Sequence, residues 1–141
     1  MKPLPDICQL LPQQRPFHLI NRLVKVDADS ALSELTVKDS TPFVGKGLLQ
    51  ASGLVENIAQ TCAAHIGYLH WPDIRIGLIG AVPSLHILRL PRIGETVNTT
   101  IQVESQAWGV SAVKATVRAG EEILAQGSIK IALTGQNLPA R

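Results

Sequence analysis

Between Gly47 and Pro72 the chain carries one formal charge, Glu56, in a run that is otherwise apolar or neutral. A run of that length and character either crosses a membrane or is buried within protein. Gln50, Ser52, Asn57, Gln60, Thr61 and His65 interrupt it, and in hydrocarbon each would need a hydrogen-bonding partner. A buried helix is therefore expected, from about Ser52, or as early as Leu48, to about Leu69. At about 100° per residue, Ala51, Leu54, Val55, Ile58, Ala59, Cys62 and Ile66 share one broad face. Glu56, Asn57 and Gln60 lie opposite, among Gly53, Ala64 and Gly67. A solvated face normally carries several Lys, Arg or Glu. One acid among small residues implies close packing there as well, and a second subunit is the simple candidate.

The remainder reads as β-structure. Before the helix, His18–Val26 and Ala31–Lys38 are rich in apolar and β-branched residues and are joined by Asp27-Ala28-Asp29-Ser30, a turn by composition. After it, Ile74–Val82 and Leu85–Leu90 are apolar, with Pro83 expected to break them. Val97, Thr99, Ile101 and Val103 alternate with polar residues, as do Val113, Ala115 and Val117. Ala119-Gly120-Glu121 turns the chain into Ile123, Ala125, Gly127, Ile129 and Ile131. Residues 1–16 hold at most a short helical turn at Ile7–Leu11, and 134–141 read as a loose tail. Strands grouped around one long helix predict an α+β class in a single domain, 1–141, with an antiparallel sheet wrapped round the helix.

Composition narrows the function. With 45% hydrophobic and 17% charged residues, the chain is globular rather than disordered. The formal charge of +2 is spread from Lys2 to Arg141, with no basic run and no aromatic ladder, so no nucleic-acid partner is expected. Cys8 and Cys62 show no pairing pattern, and the first residues lack a secretory apolar region. A cytoplasmic protein that neither spans nor anchors to a membrane is expected, with Cys62 a small buried residue. Cys62 and His65 are helix neighbours, but no further ligands stand at metal-binding spacing. No metal or other cofactor is expected.

Three segments, taken together, resemble one family. Leu11-Pro12-Gln13-Gln14-Arg15-Pro16-Phe17-His18-Leu19-Ile20-Asn21-Arg22-Leu23 is similar to the opening L-P-H-R-Y-P-F-L-L-V-D-R of the FabZ-like 3-hydroxyacyl-(acyl carrier protein) dehydratases. Glu56-Asn57-Ile58-Ala59-Gln60 resembles their helix motif E-A-x-A-Q. Arg89-Leu90-Pro91-Arg92-Ile93-Gly94-Glu95-Thr96-Val97 resembles their R-x-P-x-x-P-G-D-x-L turn, shortened by a residue. The resemblance implies a hot-dog fold and an acyl thioester, on acyl carrier protein or coenzyme A, as partner. It also implies assembly as a homodimer or a hot-dog heterodimer, with the helix acid facing a histidine from the other protomer. A base removes the C2 proton made acidic by the thioester, and an acid protonates the departing C3 hydroxyl.

The family's histidine, in H-F-P-x-x-P-V-x-P-G, has no counterpart in the matching stretch, Pro42 to Gly53. Glu56 is the first candidate for chemistry, since a lone acid in an apolar helix signals a tuned group or a specific partner. A carboxylate near a helix start also gains about 0.3–1 kcal/mol from the macrodipole with no function at all. His18 and His86 are the candidates to replace the missing histidine, and core packing is the plainer reading of each. His65 projects with Leu54 and Ile58, as a core or interface histidine. Phe43, Gly53, Asn57 and Gln60 are the candidate substrate contacts, with Gln60 one turn from Glu56 and able to orient it. Three functions stay open: a 3-hydroxyacyl-thioester dehydratase, an acyl-thioester hydrolase using Glu56 alone, and a catalytically silent subunit of a dehydratase heterodimer.

Overall fold

In the computed structural model, which describes residues 4–11, 17–72 and 74–138, the low-charge run is one helix packed on an antiparallel sheet. The elements in order are α1 (Ile7–Leu10), β1 (Arg22–Val26), β2 (Ser30–Thr36), β3 (Val44–Gly45), β4 (Leu48–Leu49), α2 (Ala51–Leu69), β5 (Ile74–Ile87), β6 (Thr96–Ala107), β7 (Val110–Ala119) and β8 (Glu122–Leu138). The main sheet has six strands in the order β1-β2-β6-β7-β8-β5, and every pairing is antiparallel. β3 and β4 form a separate small hairpin just ahead of α2. The architecture is α+β, a hot-dog fold with α2 as its central helix.

The alternation in the sequence sets which side of each strand meets the helix. Leu35, Val97 and Val117, and Ala31, Ile101, Ala115 and Val113, are buried toward α2, where Leu54, Ile58 and Cys62 join them in one core. A polar seam runs through that core. Ser33 and Thr61 share a hydroxyl hydrogen bond of 2.7 Å, Thr61 donates to the Asn57 carbonyl at 2.8 Å, and Thr99 donates to Asn57 Oδ1 at 2.6 Å. Every member is satisfied, so the seam fixes the helix in register over β2 and β6 without an orphaned group.

Several expectations are corrected. Pro83 does not divide the strand: β5 runs through it, with a register shift between Ala81 and Ser84. β5 is the sheet's edge strand, where a residue lacking an N–H costs no ladder bond. The tail is not loose from Thr134, because β8 continues to Leu138, whose partner is Ile74; Pro139–Arg141 lie outside the described residues. β1 begins at Arg22 rather than His18.

The largest correction concerns the second helix face. Asn57, Gln60, Ala64 and Gly67 are buried within this chain. The N-terminal segment covers them, and α1 lies so close to α2 that a Cβ at Gly67 would stand 2.5 Å from the Leu10 carbonyl oxygen. The small residues opposite the core thus seat the chain's own beginning. The Pro12–Pro16 portion of the opening motif lies outside the described residues, as do Met1–Pro3.

Candidate active site around Glu56

Glu56 stands in the second turn of α2, half-buried. Its Oε1 accepts a hydrogen bond from Gln60 Nε2 at 3.1 Å, the i, i+4 geometry of a helix face. Gln60 itself is 1% exposed. Its Nε2 also donates to the Phe17 carbonyl at 3.0 Å, and its Oε1 accepts from the Leu19 N–H at 2.7 Å. One amide therefore orients the carboxylate and clasps the backbone on both sides of His18. Asn57 adds a further tie by donating to the Leu19 carbonyl at 2.7 Å.

These contacts redistribute the expected roles. Asn57 and Gln60 were expected at the substrate, but the structure turns both amides onto the chain's own N-terminal segment and, for Gln60, onto Glu56. His18 is half-buried, and Gln60 holds the backbone on either side of it, at Phe17 and Leu19. His86 is not brought to Glu56. It lies on exposed β5 opposite Gln126, out of phase with Leu85 and Ile87, which pack against the core, so it occupies the sheet face away from the helix. His65 is 2% exposed, and its Nε2 donates to the Asp27 carbonyl at 2.9 Å. This is the tie of a core histidine to the β1–β2 turn. Among the described residues no group of three or more His, Cys, Asp or Glu converges as a metal site would.

The stretch before α2 frames the site. Phe43 is 51% exposed and has a φ of 64°, a left-handed conformation unusual for a bulky residue. Its carbonyl accepts from Gln50 N–H at 2.9 Å. A Cβ on Gly53 would lie 3.1 Å from the Phe43 Cβ and would collide with the Leu49 side chain. Gly53 thus permits the β3–β4 hairpin to rest on the helix start, and it puts Phe43 one turn before Glu56. Gly45-Lys46-Gly47 forms the hairpin tip, with Lys46 and Gly47 at φ 55° and 77°.

The third motif is structural. Arg89 grips Glu95 with both guanidinium NH groups at 2.7 and 2.8 Å, and Glu122 through Nε and a second NH at 2.8 and 2.9 Å. With the Arg92 N–H at 2.7 Å, this holds the Glu95 carboxyl down at about pKa 2. Arg89 also lowers the Glu122 carboxyl. The clamped turn then pairs with the hairpin, since Leu49 N–H donates to Pro91 O at 2.9 Å and Ile93 N–H to Gly47 O at 3.0 Å. The motif's arginine was legible in the sequence; its role in bracing the hairpin before α2 was not, because Glu122 is distant along the chain.

On the other flank of Glu56 the molecule is apolar and open. Val55, Ala59 and Ile66 are half-buried on α2, and the neighbouring edge strand β5 exposes Ile79 and Val82 at 40% and 41%. This flank lies roughly a quarter turn round the helix from Glu56 and nearly opposite Asn57 and Gln60.

Known proteins converge on the same architecture. The family model described as ApeP dehydratase matches residues 5–137. The chain is 21% identical over 134 residues to a 3-hydroxyacyl-(acyl-carrier-protein) dehydratase FabZ of Clostridioides difficile, covering 91% of this chain and 94% of that one. It superposes on a chain of the dehydratase heterocomplex ApeI:P from Xenorhabdus doucetiae with a TM-score of 0.85 at 15% identity, covering 94% and 93% of the two chains. A hypothetical thioesterase from Streptococcus pneumoniae, solved with coenzyme A, shares the fold at a TM-score of 0.63 and 12% identity, covering 83% of this chain and 88% of that one. With its matched span running from the N-terminal segment through β8, the chain belongs to the ApeP-like dehydratase family.

Proposed function

We propose that this chain contributes Glu56 to a two-chain dehydratase site acting on a 3-hydroxyacyl thioester held on acyl carrier protein or coenzyme A. The observation that carries the reading is the setting of Glu56. Gln60 orients its carboxylate from one side, and an open apolar flank with an unpaired strand edge lies on the other. A second hot-dog chain seated along β5 would cover Ile79, Val82 and Val55 and bring its own residues beside Glu56. Pro42 to Gly53 holds no histidine, so the complementary proton-transfer group comes from that second chain. The neighbour in Xenorhabdus doucetiae is itself a dehydratase heterocomplex, which favours a heteromeric assembly. In the reaction one group takes the C2 proton, the C2–C3 double bond forms, and the other protonates the C3 hydroxyl as it leaves as water.

The test combines the purified chain, alone and co-expressed with a histidine-bearing hot-dog partner, with 3-hydroxyacyl thioesters, following the conjugated enoyl product and thiol release separately. Enoyl product is expected from the pair and little from the chain alone. Thiol release without enoyl product would replace the reading with hydrolysis.

A further inference from the structure

Leu69 ends α2 about 20 Å along the helix axis from Glu56, and a second set of apolar side chains is exposed there. The β6–β7 hairpin closes on the pair Ala107 and Val110, so its loop is Trp108-Gly109, with φ of 56° and 75°. A turn with positive φ at both central residues suits Asn or Gly at the first, and a bulky side chain there is strained. Trp108 is nevertheless fully exposed, so its ring gains nothing from the chain's own packing. Leu69, Trp71 and Val110 are exposed at the same end. A groove of about 360 Å³ lies between the hairpin and His70. It shares His70, Gln106 and Ser111 with an inner pocket of about 90 Å³, which Ile66 and Leu69 of α2 line together with Ile101, Val113 and Ile131 of the sheet. A bare tryptophan beside an apolar pocket has the character of an interaction surface.

The charge around these two hollows selects the occupant. Among the described residues that line them, Asp29 carries the one formal charge, and its carboxylate has no hydrogen bond or ion pair within the described chain. α2 ends here with no basic residue in its last turn, so the negative end of its dipole is uncompensated. His65 lines the inner pocket and spends its Nε2 on the Asp27 carbonyl. Its buried Nδ1 is then an acceptor without a partner among the described residues. An acid, a helix C-terminus and a free ring nitrogen all favour a cation or a donor. A second copy in two-fold pairing would set Asp29 against Asp29 and one helix end against the other. An anionic bilayer would meet no lysine or arginine among the described lining residues. The inner pocket is also smaller than the cavity of about 150 Å³ that takes benzene, so it admits an aliphatic side chain and excludes an indole.

We propose that this surface docks a basic segment of another protein. One aliphatic side chain of the segment enters the inner pocket, and the lysine or arginine side chains flanking it meet Asp29, the end of α2 and the face of Trp108. The surface is remote from Glu56, so docking there leaves the candidate active site open.

Random dodecapeptides displayed on phage, panned on the full chain with Trp108→Asn as counter-target, test this without turnover. Asn suits the positive φ of the turn, so the variant should fold with an equal or higher melting temperature. Recovered sequences should share an aliphatic residue flanked by lysine or arginine. A synthetic peptide of that consensus, titrated calorimetrically, should bind Trp108→Asn and Asp29→Asn about fivefold more weakly or worse than the parent. Its affinity should fall as salt rises and should be the same for the chain assembled with a hot-dog partner. No enrichment over the counter-target, or an acidic or uncharged consensus, would overturn the proposal. So would loss of peptide binding in the assembled pair, which would give the surface to the hot-dog partner. Self-association abolished by Trp108→Asn would give it to a second copy, and Trp108-dependent sedimentation with phosphatidylglycerol vesicles would give it to a membrane; either result overturns the proposal as well.

Discussion

Gln60 Nε2 donates to Glu56 Oε1 at 3.1 Å and to the Phe17 carbonyl at 3.0 Å, so the carboxylate and the backbone next to His18 hang from one buried amide. The conformation of Glu56 is thereby tied to the seating of the N-terminal segment. A change in either propagates to the other through a side chain that has no spare donor to yield. In Gln60→Glu the Leu19 N–H keeps an acceptor, but Phe17 and Glu56 lose their donor and a second carboxylate faces the first. A loss of about 2 kcal/mol or more is expected, from unsatisfied buried groups and like-charge contact. Urea unfolding measures it, and a change below about 0.5 kcal/mol would show that the clasp matters little.

Glu56→Gln separates chemistry from structure. Glu56 is half-buried rather than enclosed, so its desolvation cost is modest and stability should change by no more than about 0.5 kcal/mol. Turnover of a thioester by the assembled site should fall about 10²-fold or more, as for a positioned acid or base. A variant with full activity would remove Glu56 from the mechanism.

The Arg89 clamp predicts an acid-sensitive turn. Hydrogen bonding to Arg89, then to the Arg92 N–H, lowers the Glu95 carboxyl from its ordinary 4.5 to about 2, and Arg89 lowers Glu122 as well. A depressed folded-state value means that the folded state favours the ionised form. The stabilisation is therefore complete above about pH 4.5 and is lost as pH falls toward 2. Urea midpoints measured across that window should decline in the parent and decline less in Arg89→Gln. Parallel declines would show that other carboxylates govern acid unfolding.

Gly67→Ala tests the contact between the two helices. The new Cβ would sit 2.5 Å from the Leu10 carbonyl oxygen, a backbone atom that moves only if α1 moves. Overpacking of this kind costs about 1–3 kcal/mol, and amide exchange in α1 and at Leu19 should accelerate while the sheet stays protected. Uniform acceleration throughout would point instead to global destabilisation.

Cys62 should resist modification. Burial raises its thiol to about 12 and leaves it 2% exposed, so almost no thiolate exists near neutral pH. Native protein titrated with a thiol reagent should release the equivalent from Cys62 only on unfolding. Rapid labelling of Cys62 in the native state would mean that the core opens at α2.

The amphipathic pattern of residues 51–69 made the helix readable, because periodic burial is written locally. The same pattern showed that the face of Asn57 and Gln60 is covered, yet it carried no information about the cover. A buried amide is satisfied equally by a subunit or by the chain's own Phe17 and Leu19, and chain order does not distinguish them. Pro83 misled for a similar reason. Its missing N–H divides a central strand but is harmless at an edge, and only the pairing of β8 with β7 on one side and β5 on the other makes β5 the edge.

By itself the sequence determined the class of fold, the long central helix, the alternating strands and the isolation of Glu56, since each follows from residue type and spacing over short distances. The tertiary structure alone decided that Gln60 bonds to Glu56, Phe17 and Leu19, that His86 lies on the sheet face away from α2, and that Arg89 reaches Glu122 across the fold. It also decided that His70 shares a groove with Trp108. These are meetings of residues far apart in the chain, settled by how α2 seats on β2 and β6 through the Asn57–Thr99 and Ser33–Thr61 hydrogen bonds. Local propensity cannot encode such meetings, because they exist only once the sheet has closed over the helix.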